Sequence, residues 1–378
     1  MYMLIIFATL TSVGLTAAPQ VCISGAAAGL SLCARVIIPS LFPFFVCTKL
    51  LVSTGAAQRL GRLMSAVMRP LFNVPGSAGF AFIMGIMSGY PVGAQCGADL
   101  YRQGLCTKAE AQRIVCFCNN SGPMFIVGVV GVGMLRSYTA GVSLYIIHLL
   151  SAVTVGLLFR GYKKNDGISV AEFKTTPRPR VGVGEALSAA VSGAVELILY
   201  VCGFIVFFNV LTALIEHAGF VRLIQGVLAR VGMLPGVSSA MTTGFLEVSS
   251  GAARISALVP GGAAQVLLSA ALAWSGVSVI LQVSGIISKV GLSTRVFAAA
   301  KLTQAVVAAF YALVAARLPF GTVRTFAPQT AVNVWAMSIP VTAAALALPC
   351  IFTALCFVWR LIIRNSILIS SIKKRSWH

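Results

Sequence analysis

Eight apolar runs punctuate the chain, at residues 2–18, 36–54, 112–133, 138–159, 193–215, 263–287, 296–317 and 331–358. Each comes close to or exceeds the roughly 20 residues that a helix needs to cross ~30 Å of hydrocarbon. Lipid offers no partner to a free peptide group, so these runs predict helices; an open sheet would leave its edges unpaired. Two stretches between them have another character. Residues 55–76, GAAQRLGRLMSAVMRPLFNVPG, set arginines into an otherwise apolar pattern and end in Pro-Gly. Residues 217–236, HAGFVRLIQGVLARVGMLPG, do the same. Both predict amphipathic helices lying in the plane of the membrane interface.

After each Pro-Gly comes an apolar segment that breaks in the middle. The first, FAFIMGIMSGYPVGAQCGADLYRQG at residues 80–104, stops at Ser88-Gly89-Tyr90-Pro91. The second, residues 237–262, stops at Glu247-Val248-Ser249-Ser250-Gly251. Each predicts two short helical arms that dip into the membrane and return. The spanning run that follows is itself marred by polar residues: Asn119-Asn120-Ser121-Gly122-Pro123 in the first case, Trp274-Ser275-Gly276-Val277-Ser278 in the second.

The order of elements therefore repeats. A span, an interfacial helix, a broken hairpin, an interrupted span and a further span occupy 36–160 and again 193–317. Pro75-Gly76 matches Pro235-Gly236, Gly85 matches Gly244, Gly93-Ala94 matches Gly251-Ala252, and Ser121-Gly122 matches Ser275-Gly276. Residues 1–35 make an N-terminal membrane helix and connector, 161–192 a basic linker, and 318–378 a last membrane helix with a basic tail. The fold class expected is an all-α polytopic membrane protein built from two repeats. Each repeat holds three full crossings, an odd number, so the two face opposite ways.

Composition agrees. The chain is 58% hydrophobic and 10% charged, with a mean hydropathy of +0.95, where a soluble domain carries about 25% charged residues. Its 28 Lys and Arg against 8 Asp and Glu would suggest nucleic acid in a soluble protein. Here the basic residues lie mainly between apolar runs and read as loop charges that fix orientation, with the bilayer as partner and no nucleic acid. With the 160–180 linker on the cytoplasmic side, 19 basic residues fall inside, six outside and three (Lys49, Arg254, Lys301) within the membrane. A first hairpin that crossed fully would move the basic 55–73 segment outside and spoil that asymmetry.

Most of the ten cysteines lie inside apolar segments, where free thiols act as small hydrophobes; neither a metal site nor a disulfide framework is expected. The chain lacks a His-acid metal set and a nucleophile motif, which argues against an enzyme. Residues 1–17 have no basic n-region, and Pro19 would follow the best cleavage point, so they predict a retained helix rather than a signal peptide.

Inverted repeats with discontinuous helices mark secondary transporters. Freed N–H groups at half-helix starts favour anions, and freed carbonyls at half-helix ends favour cations. The candidate binding residues are those at the breaks together with buried charges. They are Ser88, Gly89, Tyr90 and Pro91 at the first tip, and Asn119, Asn120 and Ser121 at the first interruption. Glu247, Ser249, Ser250 and Arg254 come from the second hairpin, Ser275 from the second interruption, and Lys301 from the last span of the second repeat. A charge at the bilayer centre costs about 2.5–3.5 kcal/mol on insertion scales. Glu247 reads as a proton, cation or substrate site, or as the ion-pair partner of Arg254; Arg254 reads as a carboxylate clamp or as that same partner. His148 reads as a packed, hydrogen-bonded histidine.

SGYPVGA (88–94), followed by a basic-polar loop and NNSGPMFIVG (119–128), resembles the YlbJ-type sporulation integral membrane proteins, also known as SpoVV. VIIPSLFPFFV (36–46) and GFLEVSSGA (244–252) fit the same pattern, and the likeness covers about residues 30–320. The family stands with the nucleoside-recognition or gate-domain proteins, similar in layout to concentrative nucleoside transporters. The resemblance implies an endospore former and a role in moving dipicolinic acid across a membrane during sporulation, the outer forespore membrane above all. It implies alternating access at the hairpin tips, with no cofactor beyond a coupling proton or sodium ion. A homo-oligomer, dimer or trimer, is compatible with it. In nucleoside carriers the first tip carries polar and acidic residues that hold nucleoside; here it is Gly-Tyr-Pro-Val-Gly, with no acid nearby. A site with Arg254, Lys301 and helix N-termini suits an anion better, and dipicolinate is a planar aromatic dicarboxylate. The competing readings are a nucleoside or other metabolite transporter, and a non-transporting scaffold for spore envelope assembly.

Overall fold

A computed structural model describes residues 2–53, 67–163, 182–230, 235–259 and 261–317, and every regular element among them is helical. Helix α1 (Tyr2–Ala17) is followed by α2 (Pro19–Leu32), a π-helical turn (Cys33–Ile37) and α3 (Ile38–Ser53). Residues 19–35, expected in part as a connector, thus run on helically into the first span. Proline opens α2, where its missing N–H costs nothing.

The first broken segment is two helices, α4 (Ala78–Ser88) and α5 (Val92–Arg102), packed side by side. At 1.5 Å per residue each 11-residue arm spans about 16 Å, half of a hydrocarbon core. The interrupted span is α6 (Lys108–Cys118) and α7 (Met124–Met134), the latter π-helical. A capping box starts α6: Thr107 accepts from the Glu110 amide while Glu110 accepts from the Thr107 amide. Helix α8 (Tyr138–Phe159), capped by Ser137, completes the half.

The second half opens with α9 (Val183–His217), longer at 35 residues than the 193–215 run suggests and taking in the end of the expected linker. Helix α10 (Phe220–Ala229) falls on the second amphipathic stretch. Next come the hairpin arms α11 (Pro235–Leu246) and α12 (Val248–Leu258), the interrupted pair α13 (Gly261–Trp274) and α14 (Gly276–Ile287), and α15 (Thr294–Arg317). Five helical stretches among the described residues are long and apolar enough to cross a membrane: Pro19–Cys47, Tyr138–Phe159, Val183–His217, Gly261–Val290 and Thr294–Ala316. The 331–358 run, most of the basic linker and the start of the first amphipathic stretch lie outside the described residues; 67–72 of that stretch are helical.

Glycine lets the arms close. Gly85 meets Gly93 within the first hairpin, and Gly244 meets Gly251 within the second, the same positions that match between the halves of the sequence. In both hairpins a Cβ would collide with backbone. One end of the bundle gathers basic loops: the Arg160 guanidinium donates to the Pro70 carbonyl (2.9 Å), Arg113 to the Tyr162 carbonyl (2.6 Å), and Asn73 to the Arg160 carbonyl (3.3 Å). At that end Gln112 also accepts from the Ser293 amide (2.6 Å) and donates to its carbonyl (3.1 Å). The flanks of the first hairpin, Asn73 before it and Gln112 after it, therefore reach the same end.

Candidate functional site

Each hairpin tip sits on its own interrupted helix. At the first, Gly89 (φ +78°) comes so close to Gly122 that a Cβ would lie 2.7 Å from the Gly122 amide nitrogen. At the second, a Cβ on Gly276 (φ +82°) would lie 3.0 Å from the Val248 nitrogen and 3.1 Å from the Leu246 carbonyl oxygen. Ser275 itself takes the left-handed conformation (φ +68°), and its hydroxyl donates to the Trp274 carbonyl, so it marks the second break directly. The Trp274 indole donates to the Phe245 carbonyl (2.9 Å) and its ring stacks on Phe245 with centroids 5.1 Å apart.

The tips differ in how they end their helices. Glu247 is buried and caps α12, accepting from the Ser249 amide (2.9 Å) and the Ser250 amide (2.7 Å). A carboxylate there offsets the positive end of the helix. Helix α5 begins at Pro91 with no side-chain cap. The anion-favouring helix start therefore belongs to the first tip, while the second carries its own anion. The two halves meet around the breaks, with α12 packed on α7 and α14 packed on α5.

Polar atoms without partners collect around the first tip and break. The Ser88 hydroxyl, the Tyr90 hydroxyl, both side-chain atoms of Asn119, the Ser121 hydroxyl and His148 Nδ1 are buried and make no hydrogen bond. Tyr90 and Ser121 are neighbours. Buried polar atoms are ordinarily paired, so a cluster of orphans calls for an explanation. His148 Nε2 accepts from the Ser121 amide (3.0 Å), which leaves the imidazole proton on Nδ1. Ser88, Asn119 and His148 thus keep donors that nothing accepts, and the neighbouring Tyr90 and Ser121 hydroxyls have at most each other.

Behind this cluster lies a satisfied network. Lys301, wholly buried, donates to the Asn119 carbonyl (3.2 Å) and to Gln304 Oε1 (2.7 Å). The Gln304 amide donates to Asn120 Oδ1 (3.2 Å), and Asn120 donates in turn to the Phe117 carbonyl (2.7 Å). Ser250 donates to Asn209 Oδ1 (2.8 Å), tying the second tip to α9.

Arg254 goes elsewhere. It lies on α12 two turns past the tip, makes a two-point ion pair with Glu216 at the end of α9, and donates to the Ser239 hydroxyl (3.2 Å). The alternative pairing of Glu247 with Arg254 is overturned, because the two point to different neighbours. Of the candidate residues, Ser88, Gly89, Tyr90, Pro91, Asn119, Asn120, Ser121 and Lys301 assemble around the first break. Glu247, Ser249, Ser250 and Ser275 assemble around the second. Gln304 and Asn209 escape sequence reasoning; the signal for Gln304 was an amide one turn after Lys301 in an apolar helix. Among the described residues no cluster of His, Cys, Asp and Glu could hold a metal.

The nucleoside-recognition (Gate) family matches residues 34–138. The fold is similar to that of the concentrative nucleoside transporter CNTnw. Against its inward-facing, substrate-bound state the TM-score is 0.52, with 13% identity over 76% of both chains. Against a variant in an intermediate state the TM-score is 0.53, with 14% identity over 76% of both chains. The "Sporulation integral membrane protein YlbJ" of Bacillus subtilis (strain 168) is 32% identical over 316 residues, 78% of each chain. By that extent of identity, this chain belongs to the YlbJ family of sporulation integral membrane proteins.

Proposed function

We propose that this protein is a secondary transporter that moves a small aromatic dicarboxylate, dipicolinic acid, across the outer forespore membrane of a sporulating cell. In this reading the two helical hairpins are re-entrant, the two halves are inverted repeats, and access alternates around the tips. The observation that carries it is the orphaned, donor-rich cluster of Ser88, Tyr90, Asn119, Ser121 and His148. Donors without acceptors at a helix break suit an anionic ligand. The uncapped start of α5 and the charge of Lys301 add positive potential beside it. A ring lying against Tyr90 while its carboxylates take the free donors would satisfy groups that find no partner within the protein. Arg254, paired with Glu216, serves to hold the second hairpin rather than to clamp substrate.

The test is uptake of labelled dipicolinate by proteoliposomes containing the full chain. Wild-type protein is expected to carry it, and Asn119→Ala to carry it far more slowly at equal protein level. Uptake of uridine without dipicolinate would replace this substrate by a nucleoside. Folded protein that moves neither, under proton, sodium or concentration gradients, would leave a scaffold as the reading.

A further inference from the structure

The amino end of the first break faces a cation that the protein itself supplies. Helix α6 ends at Cys118, and the carbonyls released at such an end carry partial negative charge. Interrupted membrane helices use released carbonyls to bind alkali cations or protons. Here the Lys301 ammonium is bonded to the Asn119 carbonyl, and Gln304 Oε1 supplies a second oxygen. Gln304 is held in turn by Asn120, Ser151 and the His148 carbonyl, so its oxygen is fixed toward the ammonium. No acid among the described residues pairs with Lys301. Among the described residues Asp99, Glu110 and Glu216 pair with arginines, Glu247 caps α12, and Glu185 and Glu196 lie on α9.

We infer that Lys301 is a tethered cation occupying a cation site at the first helix break, so that the protein works without a sodium ion there. An ammonium without a carboxylate, wholly buried, is costly. Carbonyl and amide oxygens fixed around it are the ligands a monovalent cation would use. A tethered charge needs no gradient to fill that place. At the second break the donors are neutral: the Ser275 hydroxyl meets the Trp274 carbonyl and the Trp274 indole meets the Phe245 carbonyl of α11.

This inference rests on the transporter reading for its consequence but not for its test. The full chain is purified in nanodiscs and melted in choline chloride, sodium chloride or methylammonium chloride at fixed pH and ionic strength. Lys301→Ala is expected to melt below wild type and to recover by several degrees, saturably, with sodium or methylammonium but not choline. Wild type is expected to melt alike in all three. Lys301→Met, which fills more of the space, provides the comparison if the alanine variant fails to fold. A folded variant that ignores the cation's identity, or a wild type stabilised specifically by sodium, overturns the inference. In liposomes, wild-type uptake is expected to be equal with sodium and choline; uptake that requires sodium also overturns it. A wild type that carries no substrate would defeat the transporter reading alone, since the melting comparison still decides this one.

Discussion

Gly251 approaches Gly244 so closely that a Cβ on Gly251 would lie within 2.5 Å of the Gly244 amide nitrogen. The two arms of the second hairpin touch backbone to backbone at that point. Gly251→Ala is therefore expected to destabilise the protein by about 1–3 kcal/mol, the usual cost of forcing a methyl group into a packed interior. Gly203→Ala is the control, since a Cβ there meets nothing within 4 Å; it is expected to stabilise α9 by about 0.5–1 kcal/mol. Thermal melting in detergent separates them, and equal shifts would contradict the close approach.

Tyr90→Phe distinguishes a ligand group from a structural one. The hydroxyl is buried with no partner beyond the neighbouring Ser121 hydroxyl, so its removal is expected to leave the melting temperature nearly unchanged. If it serves substrate, affinity for dipicolinate falls about 5–10-fold, the worth of one hydrogen bond of ~1–1.4 kcal/mol. Isothermal titration on both proteins reads the difference. Unchanged affinity would remove Tyr90 from the site.

Arg254 and Glu216 should behave as a pair. Both are part-exposed, 40% and 31% by side chain, so their coupling is expected to be about 0.5–1 kcal/mol in a double-mutant cycle of Arg254→Ala and Glu216→Ala. Dipicolinate affinity is expected to survive in each variant. Additive effects on melting, or loss of binding in Arg254→Ala alone, would return Arg254 to the substrate site.

Inverted halves predict opposite exposure of their amphipathic flanks. In a cysteine-depleted chain, Arg102→Cys and Arg222→Cys are expected to react with an impermeant maleimide from opposite faces of oriented vesicles. Both positions are exposed in the protein. Labelling from one face would contradict the inverted arrangement.

Much of the helical order was legible because glycine, proline and polar residues interrupt apolar runs at matched places. Gly85, Gly93, Gly244 and Gly251 could be matched across halves from sequence, and each hairpin closes on its own pair. The length of α9 was hidden, since its first ten residues are too mixed to read as a span. The fate of charges was harder to see. Glu247 and Arg254 stand two turns apart on one helix, yet Glu247 turns back to cap its own first turn and Arg254 reaches α9. Pairing across 38 residues is a product of packing, and no local spacing announces it. The orphaned donors were equally invisible, because only a fold reveals which hydroxyls find partners.

Gln112 holds both main-chain groups of Ser293, its amide and its carbonyl. Substitution at the two ends of this brace therefore has unequal consequences. Position 293 engages Gln112 through its main chain alone, so it can change to a residue that keeps an N–H and fits, at the cost of its hydroxyl contact with the Val296 amide at the start of α15 (3.4 Å). Position 112 has no such latitude: glutamate loses the donor, leucine loses both groups, and asparagine is a methylene too short. Among natural variants of this chain, drift should be free at residue 293 and arrested at residue 112.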